Sequence, residues 1–182
     1  MPKIKIPAIT VICFVTPVFI KPTVTLGLIL LPVLLHEAGH VFVMLCLKTE
    51  IEQLTLLPFG IDIKRRDKFI SYPKEAAIAL AGPSVNILVF FIFAEYRFFA
   101  YINLLYALIN LIPVKGLDGG NALEAFLLSR WDFAIIQRVM KTLSFVFLIL
   151  LWILGVYILF ILEGNISIFA LSLFLFVTVI MK

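Results

Sequence analysis

The chain has 182 residues, of which 63% are hydrophobic and only 14% are charged. Ordinary globular domains are about half apolar and about a quarter charged, so a soluble fold could not hide this much apolar surface and the excess must face lipid. The net charge of +4 is explained by loop placement in a membrane protein, and no nucleic-acid partner is expected.

A span of about 30 Å of hydrocarbon takes roughly 20 apolar residues. Apolar runs lie near 6–21, 23–47, 75–94, 98–117, 139–162 and 165–181. They predict an all-α polytopic membrane protein with about six transmembrane segments in a single membrane-embedded domain, 1–182, with no separate soluble domain. The first run is short and bracketed by Pro7 and Pro17, so it reads as a span or a re-entrant segment. Lys3 and Lys5 before it imitate a signal peptide, but no small-x-small site precedes Lys21-Pro22, and the segment is expected to be retained.

With the N-terminus in the cytosol, only Lys21 and Arg97 of the 15 basic residues fall on the far side. That bias fixes the orientation and predicts a multi-pass protein of the cell membrane. Cys13 and Cys46 sit in apolar runs without CxxC spacing and read as packing residues rather than a disulfide or thiolate site.

Between the second and third runs, Ile51–Leu57 and Ile61–Lys64 partly alternate around Pro58-Phe59-Gly60. This predicts a small β-hairpin at the cytosolic membrane surface. Lys64-Arg65-Arg66 beside it reads as a topology determinant in contact with anionic headgroups. Trp131 and Trp152 are interface-anchor and packing candidates.

The second run contains His36-Glu37-Ala38-Gly39-His40, and these are the only two histidines in the chain. On a helix, positions i and i+4 share a face, so both imidazoles can reach one ion, with Glu37 about 100° around the axis. Catalytic zinc takes three protein ligands and keeps a place for water, whose proton a nearby carboxylate can remove. Ionisable groups in the hydrocarbon are expensive and mark function by default.

The third ligand must be one of the remaining acidic residues. Most of those lie in loops or at helix ends, and Glu95 and Glu163 fall on the far side. Asp118 follows Pro113 and Gly116 and precedes Gly119-Gly120, a stretch that breaks the fourth helix; irregular backbone at that depth lines a cavity or is buried in protein. Glycines there permit close approach to the second helix. Spacing alone leaves open that Asp118 instead caps a helix over 121–128.

HEAGH, Asn110-Leu111-Ile112-Pro113-Val114-Lys115-Gly116-Leu117-Asp118-Gly119-Gly120, and Ala81-Gly82-Pro83-Ser84-Val85-Asn86 together resemble the site-2 protease family of intramembrane metalloproteases. The Leu57-Pro58-Phe59-Gly60 element and the layout of segments are similar to the branch that matures a pro-sigma factor in sporulation. The resemblance implies that His36, His40 and Asp118 bind one zinc ion per chain and that Glu37 activates water. It also implies that Asn110 and Pro113 help to position substrate, with Asn86 and the Leu57–Gly60 element as further substrate-binding candidates.

The expected partners are a membrane-associated protein substrate, the lipid bilayer and an inhibitory membrane partner. That branch carries a nucleotide-sensing CBS domain after its last span, and ATP regulation through such a domain is not expected here. Asn86 can equally serve a plain interhelical hydrogen bond. The strand edge of residues 50–63 is expected to hold substrate extended by β-augmentation, and a polar cavity should open to the cytosol. The rival classes are a membrane metal-ion transporter, which needs polar groups across the whole bilayer, and a non-catalytic relative, which need not keep Glu37.

Overall fold

The computed structural model describes residues 3–5, 24–57, 60–65 and 70–160. The runs expected at 6–21 and 165–181, together with Cys13, Pro58 and Phe59, lie outside the described residues. In chain order the elements are β1 (Lys3–Lys5), α1 (Val24–Cys46), β2 (Ile51–Leu57), β3 (Gly60–Arg65), α2 (Tyr72–Ile92), α3 (Arg97–Asn110), α4 (Asp118–Leu128) and α5 (Phe133–Phe160). The protein is mostly helical. Among the described residues, three helices are long and apolar enough to cross a membrane: Gly27–Cys46, Tyr72–Ile92 and Phe133–Tyr157.

The chain divides into two compact units, Met1–Asn110 and Leu111–Lys182. In the first, α1, α2 and α3 pack on one another. The buried stripe of α1 runs Pro32, His36, His40 and Met44, an i, i+4 ridge. Opposite it, α2 buries Ile78, Ala79, Ala81, Gly82, Pro83, Asn86 and Val89. A Cβ on Gly39 would come within 2.8 Å of Val85 and 2.9 Å of the Ala81 carbonyl oxygen. Small residues are what allow two membrane helices this proximity, since apolar bulk gains nothing over lipid tails.

α1 ends where Lys48 turns left-handed, at φ 55°. Thr49 N–H then donates to the Met44 carbonyl at 3.0 Å and Lys48 N–H to that of Leu45 at 3.0 Å. This paired arrangement satisfies the last carbonyls of the helix, and the Thr49 hydroxyl adds a 2.6 Å bond to Met44. The chain is thereby turned into β2.

β2 pairs antiparallel with β3, from Ile51 opposite Arg65 to Leu57 opposite Gly60, with an irregularity between Ile51 and Gln53. β1 pairs parallel with β2, setting Ile4 opposite Leu54. Lys3-Ile4-Lys5 thus forms a strand that composition alone disguises as a basic flank. The order β1-β2-β3 makes β2 central, with a partner on each side. β3 also touches α1.

One boundary follows the break expected around Pro113, and one differs from expectation. The fourth apolar run does not form a helix over 98–117: α3 has 14 residues and stops at Asn110, about 21 Å of rise. Pro113 lacks an N–H to continue the ladder, and the chain stays irregular to Leu117. Conversely, α5 begins at Phe133, ahead of the expected 139, because Gln137, Arg138 and Lys141 take positions flanking the buried Ile136 and Met140. Charge ends an apolar run without ending a helix.

The second unit packs α4 against α5. The buried stripe of α5 is Ile136, Met140, Ser144 and Leu148, again at i, i+4 spacing. Cys46 is a free, exposed residue on α1, so the packing role expected for it is not what the fold uses. Trp131 and Trp152 are 57% and 50% exposed, as residues facing an interface or lipid would be.

Candidate metal centre

α1 carries His36 and His40 one turn apart. Both are buried, as is Glu37, which is 8% exposed. The rings meet edge to face with centroids 4.8 Å apart, and Tyr106 of α3 stands edge-on to His36 at 4.9 Å.

Each ring is held through Nδ1. His36 Nδ1 lies 2.6 Å from Asn86 Oδ1, and His40 Nδ1 lies 2.7 Å from the Ile78 carbonyl oxygen. Both partners are acceptors, so both Nδ1 atoms carry the proton and both Nε2 atoms keep a lone pair. This is the state a metal-ligating histidine requires, with the non-ligating nitrogen fixing ring and tautomer.

The two Nε2 atoms converge over the backbone of Gly82. A Cβ built there would meet His40 Nε2 and stand 2.6 Å from His36 Nε2. Residue 82 must therefore lack a side chain for the two lone pairs to face a common space. In the sequence Gly82 stands out only as part of the Ala81–Asn86 motif. The available signal was a glycine four residues before Asn86, on the same helical face.

Asp118 is the first residue of α4. Leu117 precedes it in extended conformation at φ −95° and ψ 161°, with no side-chain cap bond. Asp118 is thus inside the first turn and is not the N-cap. Gly116 adopts φ +99°, a turn that side chains resist. Lys115 N–H donates to the buried Ser144 Oγ at 2.8 Å, and Lys115 Nζ reaches Gln137 Oε1 at 2.5 Å. Gln137 in turn donates to Glu124. These bonds fix the backbone that presents Asp118.

One ligand atom from each of His36, His40 and Asp118 lies within 4.8 Å of the others. Two donors on a tetrahedral ion with bonds of 2.0–2.1 Å stand about 3.3 Å apart. Two neutral imidazoles and a carboxylate suit a divalent ion that keeps one position open.

The other expected site residues are placed as follows. Asn86 is fully buried. Its Oδ1 meets His36, and its Nδ2 donates to Pro32 O at 3.1 Å and to Asn103 Oδ1 at 2.8 Å. Both its amide hydrogens are used within the protein, the interhelical hydrogen bonding that its place in an apolar run also allowed. Asn110 Nδ2 donates to the Tyr106 carbonyl one turn back at 3.0 Å. Pro113 sits half-buried in the loop after α3. Leu57 and Gly60 close the β2–β3 hairpin.

Long apolar helices and a group of two histidines and a carboxylate that could hold a metal ion are the features to set beside known proteins. No family model matches the chain. It is 31% identical over 162 residues to stage IV sporulation protein FB of Bacillus subtilis, covering 82% of the chain and 55% of that relative. It is 34% identical over 122 residues to a zinc metalloprotease of Methanocaldococcus jannaschii, covering 58% of the chain and 35% of that protein. The chain thus spans about half the length of the sporulation protein. Its fold is that of the site-2 protease from Methanocaldococcus jannaschii, with a TM-score of 0.65, 22% identity, and coverage of 94% of this chain and 86% of that one. The chain thus resembles the sporulation protein and zinc metalloproteases in sequence and the site-2 protease in fold.

Proposed function

We propose that the chain is an intramembrane zinc metalloprotease that hydrolyses a peptide bond in or near a membrane-embedded segment of a protein substrate. The observation that carries this reading is the gathering of His36, His40 and Asp118 within coordinating reach, with Glu37 buried on the same helix. The metal named for one relative supports zinc, the likeness to the sporulation protein supports a role in sporulation, and the motif resemblance makes a pro-sigma factor the candidate substrate.

His36, His40 and Asp118 would hold the ion. When bound, zinc supplies a Lewis acid that polarises the scissile carbonyl and lowers the pKa of water. Glu37 takes the proton of the attacking water and passes it to the leaving amine. The two Nδ1–H bonds keep both rings oriented through that cycle, so the donors need not rearrange as charge develops.

A transmembrane substrate must unwind before it can be cut, and an extended segment needs a strand edge. The edge expected over 50–63 is narrowed by the sheet order: β2 is paired on both sides. The outer edge of β3, the strand that touches α1, is the better substrate rail, and Leu57, Pro58, Phe59 and Gly60 remain the proposed substrate-binding element beside it in sequence. Asn110 and Pro113 would help to keep the substrate in register. Six membrane segments with a cytosolic N-terminus, a hairpin at the cytosolic surface and a site opening to that side complete the reading.

The test is proteolysis in reconstituted vesicles. Purified protein carrying about one zinc per chain should cleave a co-reconstituted pro-sigma factor, and a chelator should stop it. A zinc-loaded protein that cuts neither this nor any transmembrane test substrate, or whose cleavage ignores chelation, would overturn the proposal. Zinc flux into the vesicles would instead identify a transporter.

A further inference from the structure

We infer that Asn103 is a positioning residue for the metal centre: through Asn86 it sets which nitrogen of His36 is available to the ion. The inference rests on the zinc reading above and extends it to a residue two hydrogen bonds away from the ligand atom.

Asn86 and Asn103 are both fully buried, on α2 and α3, in helices otherwise rich in apolar side chains. Buried amides in such surroundings are costly unless every polar atom is satisfied. Asn103 Nδ2 donates to the Phe99 carbonyl of its own helix at 2.9 Å. Its Oδ1 must then face outward, where it accepts from Asn86 Nδ2 at 2.8 Å. The other Asn86 amide hydrogen goes to Pro32 O at 3.1 Å. With both hydrogens so directed, Asn86 can present only Oδ1 to His36 Nδ1, at 2.6 Å.

The chain of bonds therefore has one polarity. Turning the Asn86 amide over would set its oxygen against Pro32 O and Asn103 Oδ1 together, two acceptor–acceptor contacts in a dry interior. Turning Asn103 over would set its oxygen against Phe99 O. A backbone carbonyl on α3 thus dictates, amide by amide, that His36 is protonated on Nδ1 and keeps its Nε2 lone pair. Were Asn86 reversed, its N–H groups would favour the opposite tautomer, and the Nε2 over Gly82 would carry a proton in place of a lone pair. His40 is set independently by the Ile78 carbonyl, which cannot reverse.

The chain has only two histidines, so 15N-histidine NMR of the metal-free protein reads both tautomers directly. In the wild type both rings should show the Nδ1–H form. Asn103→Leu removes the acceptor that orients Asn86, and the His36 signals should shift toward a mixture or the Nε2–H form while those of His40 stay unchanged. Zinc affinity should fall by about 10–100-fold, as for loss of an outer partner of a metal ligand.

A wild-type His36 in the Nε2–H form would overturn the inference without any variant, including the case in which Asn103→Leu fails to fold. So would a folded Asn103→Leu protein with His36 unmoved and native zinc affinity. Failure of the wild type to bind zinc at all would instead overturn the metal reading.

Discussion

The Nε2 of His36 stands 2.6 Å from the point a β-carbon on Gly82 would occupy. No real side chain fits at that distance unless the ring shifts and strains its bond to Asn86. The same imaginary carbon meets Nε2 of His40, a ring tied to Ile78. Gly82→Ala should therefore destroy the metal centre by displacing both donors at once. Alanine improves intrinsic helix propensity by up to about 1 kcal/mol over glycine, so the variant should fold. Zinc content per chain, measured after size exclusion, should drop well below that of the wild type, with loss of at least tenfold in affinity; native occupancy would contradict the geometry.

Glu37→Gln keeps shape and burial but removes the proton acceptor. Zinc binding should persist, because the ring partners Asn86 and the Ile78 carbonyl are untouched. Cleavage should fall by at least the 10²–10⁴-fold that a general base contributes. Side-by-side zinc titration and single-turnover cleavage make the comparison. Residual cleavage near the wild-type rate would mean that another group takes the proton.

Asp118→Asn tests the third ligand. An amide offers a weaker, neutral donor where a carboxylate would complete the set with the two rings. Zinc affinity should fall by more than the 10–100-fold that follows removal of an outer partner. Metal competition against a coloured chelator measures it. The second unit should remain folded, since Lys115 still bonds Ser144 and Gln137.

The helix-borne part of the centre was legible because it is local. His36, Glu37 and His40 are an i, i+1, i+4 pattern, and helical geometry alone puts the two rings on one face. The length and apolar character of α1, α2 and α5 were legible too, as long apolar runs. Asp118 was reachable by its glycines and by resemblance, but no local pattern links it to two rings some 80 positions earlier. Ile78 is silent in any sequence reading, because its contribution is a main-chain carbonyl. Pro83 has no N–H to offer the Ala79 carbonyl, the neighbour of the Ile78 carbonyl that accepts from His40. Asn86 was read as a substrate candidate because a polar residue in an apolar run advertises importance without saying what it faces. The strand Lys3–Lys5 was hidden for the opposite reason: three residues with two lysines look like a topology signal, and only the partner β2 makes them a strand.

Gly120→Ala is the sharpest test of how Asp118 is presented. A β-carbon on residue 120 would run into the Val114 carbonyl, with Lys115 N only 3.0 Å away. These are backbone atoms, and Lys115 N–H is itself committed to Ser144 Oγ, so nothing nearby can rotate aside. The added methyl must push the first turn of α4 off the Val114–Lys115 strip, and Asp118, two residues earlier, moves with it. Zinc affinity should fall although residue 120 touches no ligand atom. Ser144→Ala is the companion: it keeps Gly120 but leaves the Lys115 N–H without its acceptor, a loss of about 1–3 kcal/mol in a buried setting. Its effect should appear first in stability, as a lower unfolding midpoint in detergent, with a smaller change in zinc affinity than Gly120→Ala produces. The reverse ranking would mean that α4 is held by contacts other than the loop between Leu111 and Leu117.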